Sequence, residues 1–354
     1  MMQLNFTQRS ELSVYEQNAR KEVWKRPVVD REVLTQLTQR STANGLLRIG
    51  LFVLFLAASL IATVYVSRYN LLLAIPFLYI YYFFYGFWVA IGHELQHKTV
   101  FAKSFDRFSE AIFFIVQTIL WNSPRYARIS HQLHHRYTMV RGMDPETDWP
   151  EVITTRWLRK YFWSLILKIL VVGAIVGLFD SVRVQVSRIM GKKDAMMSKH
   201  CTDKDIKTIR MESLAILLIH TAIVILAIVF RRWELLLFIT IAWQVGSAIE
   251  GLWHSTEHIG RAYNVNDHRL NTRSIKVGPL VWLIFWGLDD HVDHHLFPSV
   301  PSRNLPKLHR ILAKDLAVPM NIFRCWKEMF AIAREKDKHP EYEYVPVKIE
   351  ALRV

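Results

Sequence analysis

The chain has 354 residues, 51% of them apolar, and a formal net charge of +14. Its two cysteines, Cys201 and Cys325, lie far apart and have no CxxC partner, which argues against a disulfide framework, a zinc knuckle and an iron–sulfur cluster. The positive excess reads as the positive-inside bias of a membrane protein. Nucleic-acid binding is disfavoured, because no basic stripe interleaved with stacking aromatics occurs on a soluble domain.

In chain order, residues 1–44 are polar and charged, with Arg20, Lys21, Lys25, Arg26 and Arg31 and no early apolar core. They predict a cytosolic N-terminal segment rather than a cleaved signal peptide. Ile49–Val66 and Leu71–Gly92 follow without a charge, and runs of about twenty apolar residues predict transmembrane helices. Ser67–Asn70 makes the break of a first hairpin, with spans at about 46–68 and 71–92. Ala111–Trp121 is apolar but too short to cross. Residues 161–180 are apolar but carry Lys168. Were they a span, the eight Lys and Arg of 181–210 would face outward, against the positive-inside rule. They are therefore expected as an interfacial or re-entrant helix. A second hairpin follows, at about 212–230 and 234–253, turning at Arg231–Trp233. Leu280–Leu288, with two Trp, suits the membrane interface, and the charged residues 327–354 form a cytosolic tail. The expected fold is all-α and integral to the membrane: four spans in two hairpins, with a catalytic domain at 45–326 and a helical cap on the cytosolic face.

Ten of the fifteen histidines form four clusters: His93 and His97; His131, His134 and His135; His254 and His258; His291, His294 and His295. At spacings of three and four, each cluster shares one helix face, and four spans bring all of them to the cytoplasmic side. Ten convergent imidazoles exceed the needs of one tetrahedral zinc. They suit more than one metal, of a kind that takes five or six ligands, such as iron. Imidazole-only ligation of a metal pair suits redox chemistry on O₂. His220, alone in an apolar run, reads as a satisfied core residue, whereas His200, His268, His309 and His339 read as solvated.

Two other classes compete. His93–His97 is also HELQH, the zinc-protease pattern with Glu94 as base, but that leaves both HxxHH boxes without a role. A metal sensor or carrier predicts ligands strung along a transmembrane path, not gathered at one face.

The stretches GHELQHKTVF (92–101), SHQLHHRYTMVRGMDPETDWP (130–150), HSTEHIG (254–260), NTRS (271–274) and HVDHHLFPSVPSRNLPKLHRIL (291–312) resemble the membrane fatty acid desaturase superfamily. The resemblance implies four spans, a cytosolic cap, a non-haem di-iron centre, and O₂-dependent oxidation of an acyl or lipid-like chain. His93, His97, His131, His134, His135, His291, His294 and His295 match its box ligands, and His258 its additional ligand. His254 stands where some members have an asparagine acting through water. Glu94, Asp144, Asp148, Glu257, Asn271, Asp289, Asp290 and Asp293 are candidates to support the ligands. Asp289 and Asp290 depart from the Trp-Asn pattern of many relatives. Desaturation and hydroxylation both remain open, since they differ only in substrate placement. No HPGG haem signature is present, so an external donor of ferredoxin, rubredoxin or cytochrome b5 type is expected. Lys192, Lys193, Lys199, Lys204 and Lys207 offer it a dock. The membrane is expected to be a bacterial inner membrane or endoplasmic reticulum.

Overall fold

Long apolar runs can satisfy their backbone groups in a membrane only by becoming helices, and among the described residues four helices are long and apolar enough to cross one. They are Thr42–Ser67, Leu71–Gln96, Asp203–Val229 and Leu236–His258, each overlapping an expected run. The computed structural model describes residues 4–346. Apart from one two-stranded antiparallel ribbon, Phe6–Gln8 with Tyr342–Tyr344, the regular structure is helical.

The chain divides into two compact units, and the four long apolar helices belong wholly or mainly to one of them, 41–129 with 163–252. Their ends carry sequence-encoded caps. The Asn70 side chain accepts from Leu72 and Leu73 N–H, and Thr202 forms a reciprocal capping box with Asp205. The helix Leu71–Gly86 packs on Thr42–Ser67 through stacked Phe55 and Phe84, 5.7 Å apart. It meets the last apolar helix where Gly86 faces Gly246. A Cβ on Gly86 would lie 2.2 Å from the Gly246 carbonyl oxygen, so only glycine lets the two backbones come this close.

At Leu236–Thr240 the last helix widens into one π-turn, which weakens its own carbonyl pairing. Three tyrosines of Leu71–Gly86 supply the missing donors: Tyr81 to Phe238 O (2.6 Å), Tyr82 to Leu237 O (3.3 Å) and Tyr85 to Ile239 O (3.1 Å). His220 is a buried core residue as expected, stacked 3.8 Å from Trp121, but only its Nε2 is bonded, to Thr118 O, while Nδ1 is buried without a partner among the described residues.

One expected helix is two. Residues 161–180 do not form a single rod but parts of Thr155–Ile169 and Val171–Ile189, bent by 96° at Leu170. The chain folds back so tightly that a Cβ on Gly173 would lie 2.1 Å from Leu167 O.

The other described unit comprises 4–40, 130–162 and 253–346. The expected tail from Lys327 instead begins inside a helix, Ile322–Lys336, that is built into this unit. Its buried stripe of Cys325, Met329, Ile332 and Ala333 has helical spacing, and Met329 and Ala333 pack against Ile153, Leu158 and Ile259. Lys336 and Glu343 pair at 2.8 Å with both side chains buried. Ahead of the last box, the helix Pro279–Phe285 ends at left-handed Trp286 and Gly287 (φ +51° and +78°). This sharp stop launches the short helix His291–Leu296.

Candidate metal centre

Three short pieces of one unit carry seven of the ten clustered histidines. His131, His134 and His135 project from the helix Pro124–Tyr137, His258 ends the helix Ala242–His258, and His291, His294 and His295 share His291–Leu296. Spacings of three and four turn each set of rings one way. His134, His258, His291 and His295 bring a nitrogen each within 4.8 Å of one another, all four buried. His131, His135 and His294 make a second convergence under the same limit.

Groups on the far side of the rings decide which nitrogen is bare. Asp144 Oδ2 lies 2.9 Å from His134 Nδ1, and Glu146 Oε2 3.1 Å from His131 Nδ1. The Asn271 carbonyl lies 2.9 Å from His258 Nδ1. Carboxylates and carbonyls only accept, so each of these Nδ1 atoms carries the proton. Thr138 gives its hydroxyl hydrogen to His134 O at 2.6 Å and lies 3.2 Å from His295 Nδ1, which is then the donor. His131, His258 and His295 therefore aim bare Nε2 atoms at neighbouring ring nitrogens: His258–His291 3.1 Å, His295–His291 3.1 Å and His135–His131 3.0 Å, with His294–His135 at 3.2 Å beside them.

Two imidazole nitrogens this close need a proton or a metal cation between them. Imidazole–metal bonds are about 2.1 Å long, so nitrogens on neighbouring vertices of an octahedral ion stand about 3.0 Å apart. The donor set fits a metal.

Electrostatics agree. Burial and then the neighbouring imidazoles push His291, His294 and His295 well below the usual histidine pKa, keeping them neutral as ligands must be. His134 is the exception. Burial opposes its charged form, but Asp144 outweighs burial and raises it. Asp144 is itself held down to about 2 against its own burial by His134, Thr147 and the Met139 N–H.

The remaining candidates divide. His93 and His97 close the helix Trp88–Gln96 of the other unit, with rings 5.1 Å apart. Beside them Glu94 is buried and accepts from Thr99 at 3.3 Å. His254 joins neither imidazole convergence. Its side chain is 44% exposed and its Nδ1 lies 2.8 Å from Glu257, whose same oxygen is 3.4 Å from His291 Nε2. Asp148 is exposed, and Asp289 is buried with its carbonyl accepting from Ile275 N–H. Burial and then Asp293 raise Asp290 to about 6.

Two histidines expected to be solvated are not. His268 is buried, stacked 4.2 Å from Trp24 and 5.1 Å from the His295 ring. His309 is tied to Asp293 at 2.9 Å. Glu146 and Thr138, which hold His131 and His295, were not singled out by spacing. Glu146 lies two residues past Asp144 in the same stretch, which is the signal that could have found it.

A family model described as fatty acid desaturase matches residues 69–324, well over half of the chain and all four histidine clusters. No curated protein matches. With that match spanning both the apolar helices and the boxes, the chain belongs to the fatty acid desaturase family.

Proposed function

We propose that this protein is an O₂-dependent, non-haem di-iron desaturase that introduces a double bond into an acyl or lipid-like hydrocarbon chain. The observation that carries the reading is the convergence of ring nitrogens on one another while Nδ1 partners fix the His131, His134, His258 and His295 rings. His134, His258, His291 and His295 would hold one iron. His131, His135 and His294, with His93 and His97 supplying the further ligands, would hold the second. Bound there, the irons supply the electrons that activate O₂ towards an unactivated C–H bond.

The protein's own groups prepare that step. Asp144, Glu146, Thr138 and the Asn271 carbonyl hold imidazoles in one tautomer and orientation. Burial of His134, His258, His291 and His295 excludes water from a site where a reactive oxidant must not be quenched. His254, bonded to Glu257, acts as a supporting group rather than a ligand.

Electrons come from an external donor protein. Lys192, Lys193, Lys199, Lys204 and Lys207 are all exposed and suit an acidic partner. The boxes face the cytoplasm, in keeping with the positive-inside placement of those lysines.

The test is product analysis by mass spectrometry, with iron-loaded protein, a reducing system and acyl substrates. Loss of two hydrogens per turnover is expected. Gain of one oxygen would replace desaturation with hydroxylation, and no turnover of any acyl chain would overturn both.

A further inference from the structure

Away from the imidazoles, the same unit holds a charge imbalance. Arg261, Arg273 and Glu328 are all buried, with 1–2% exposure. Arg273 is fully used: its guanidinium reaches Glu328 at 2.8 and 2.9 Å and also the carbonyls of Thr256 and Ile259. Arg261 is not. One of its terminal nitrogens lies 3.3 Å from the Glu328 oxygen that Arg273 already occupies, while its Nε and Nη1 are buried without a partner among the described residues.

Glu328 is fully ionised. Against its burial, Arg261 and Arg273 hold it down to about 2. It still cancels only one of the two cations. Nearby Arg269 is neutralised separately by a two-pronged contact with Asp267, and Lys336 by Glu343. Among the described residues one positive charge and two N–H donors remain, and each buried donor left unmade is costly.

Arg261, Arg269, Arg273 and Glu328 border a cavity of about 230 Å³, whose other wall includes Leu316, Ala317, Val318 and Met320. We propose that this cavity is an oxyanion site, taking the phosphate head of an amphiphile or a free phosphate ion, with Arg261 as its principal donor. The planar guanidinium presents Nε and one Nη in the fork that matches two oxygens of such a group. The cavity's volume suits a single small anion, and its apolar wall suits the start of an attached chain. Occupancy would supply the missing negative charge. It would also bear on the metal centre, because the cavity wall includes Thr272 and Ser274. Thr272 follows Asn271, whose carbonyl orients His258, and Ser274 Oγ accepts from Val292 N–H, next to His291.

The test uses the full-length, metal-loaded chain in a neutral maltoside detergent. Thermal unfolding is followed by tryptophan fluorescence, with ionic strength held constant by sodium chloride. Inorganic phosphate should give a saturable rise of several degrees if the occupant is the free ion. If it is an amphiphile's head, dodecyl phosphate should do so at a concentration at least about tenfold lower, because its chain adds apolar burial. Arg261→Gln should flatten whichever response is found. Since that change also leaves Glu328 less well paired, Ala317→Leu serves as a second variant. It narrows the cavity without altering charge, and should remove the response while leaving the ligand-free unfolding temperature within a few degrees of wild type. No saturable rise with either probe, or a rise of equal size in both variants, would overturn the assignment.

Discussion

Asp144 illustrates how one carboxylate orients a buried imidazole. Its Oδ2 accepts from His134 Nδ1, from the Met139 N–H at 2.9 Å and from Thr147 at 2.6 Å, while Oδ1 accepts from Glu146 N–H at 2.9 Å. The imidazole is thereby fixed in orientation and made a better donor. Asp144→Asn keeps the shape and removes the charge, so the expected effect is about 10–100-fold weaker iron retention against a competing chelator, with the fold intact. Unchanged retention would show that the charge is idle. The clustering of the histidines was legible in the sequence, because spacings of three and four are local and a helix turns them into one face. Their partners were less so. Trp24 stacks on His268 across 244 positions of sequence, and no local pattern announces such a pair. His309 looked solvated for the same reason: its partner Asp293 is 16 residues away, brought back by the turn through Pro298 and Pro301.

At the scale of elements, composition located the four long apolar helices but not how they touch. Hydropathy cannot distinguish Gly86 and Gly246 from other small residues. Their importance comes from a backbone approach that a single methyl would block. Gly86→Ala is expected to cost about 1–3 kcal/mol through overpacking, read as faster thermal inactivation in detergent. Gly50→Ala is the control, since a Cβ there meets nothing within 4 Å, and equal effects from the two would contradict the close-contact explanation. The bend at Leu170 escaped notice because Lys168 interrupts the hydropathy without indicating a turn. The C-terminal helix escaped for the opposite reason. Its charges suggested a tail, although Cys325, Met329, Ile332 and Ala333 already carried the spacing of a buried stripe.

For the whole molecule, four crossings and the positive-inside rule set the expected sidedness: residue 199 on the cytoplasmic side and the break at residues 68–70 outside. In a chain with Cys201 and Cys325 replaced, Tyr69→Cys should react with a membrane-impermeant maleimide on intact cells, and Lys199→Cys should react only after permeabilisation. The reverse pattern would invert the topology. The family match and the imidazole geometry meet in one measurable quantity, the protein's metal content. Protein purified from iron-supplemented cells and analysed by plasma mass spectrometry should contain about two irons per chain, since nine imidazoles exceed what one ion can take. About one zinc per chain and no iron would contradict the di-iron centre and restore the HELQH protease reading.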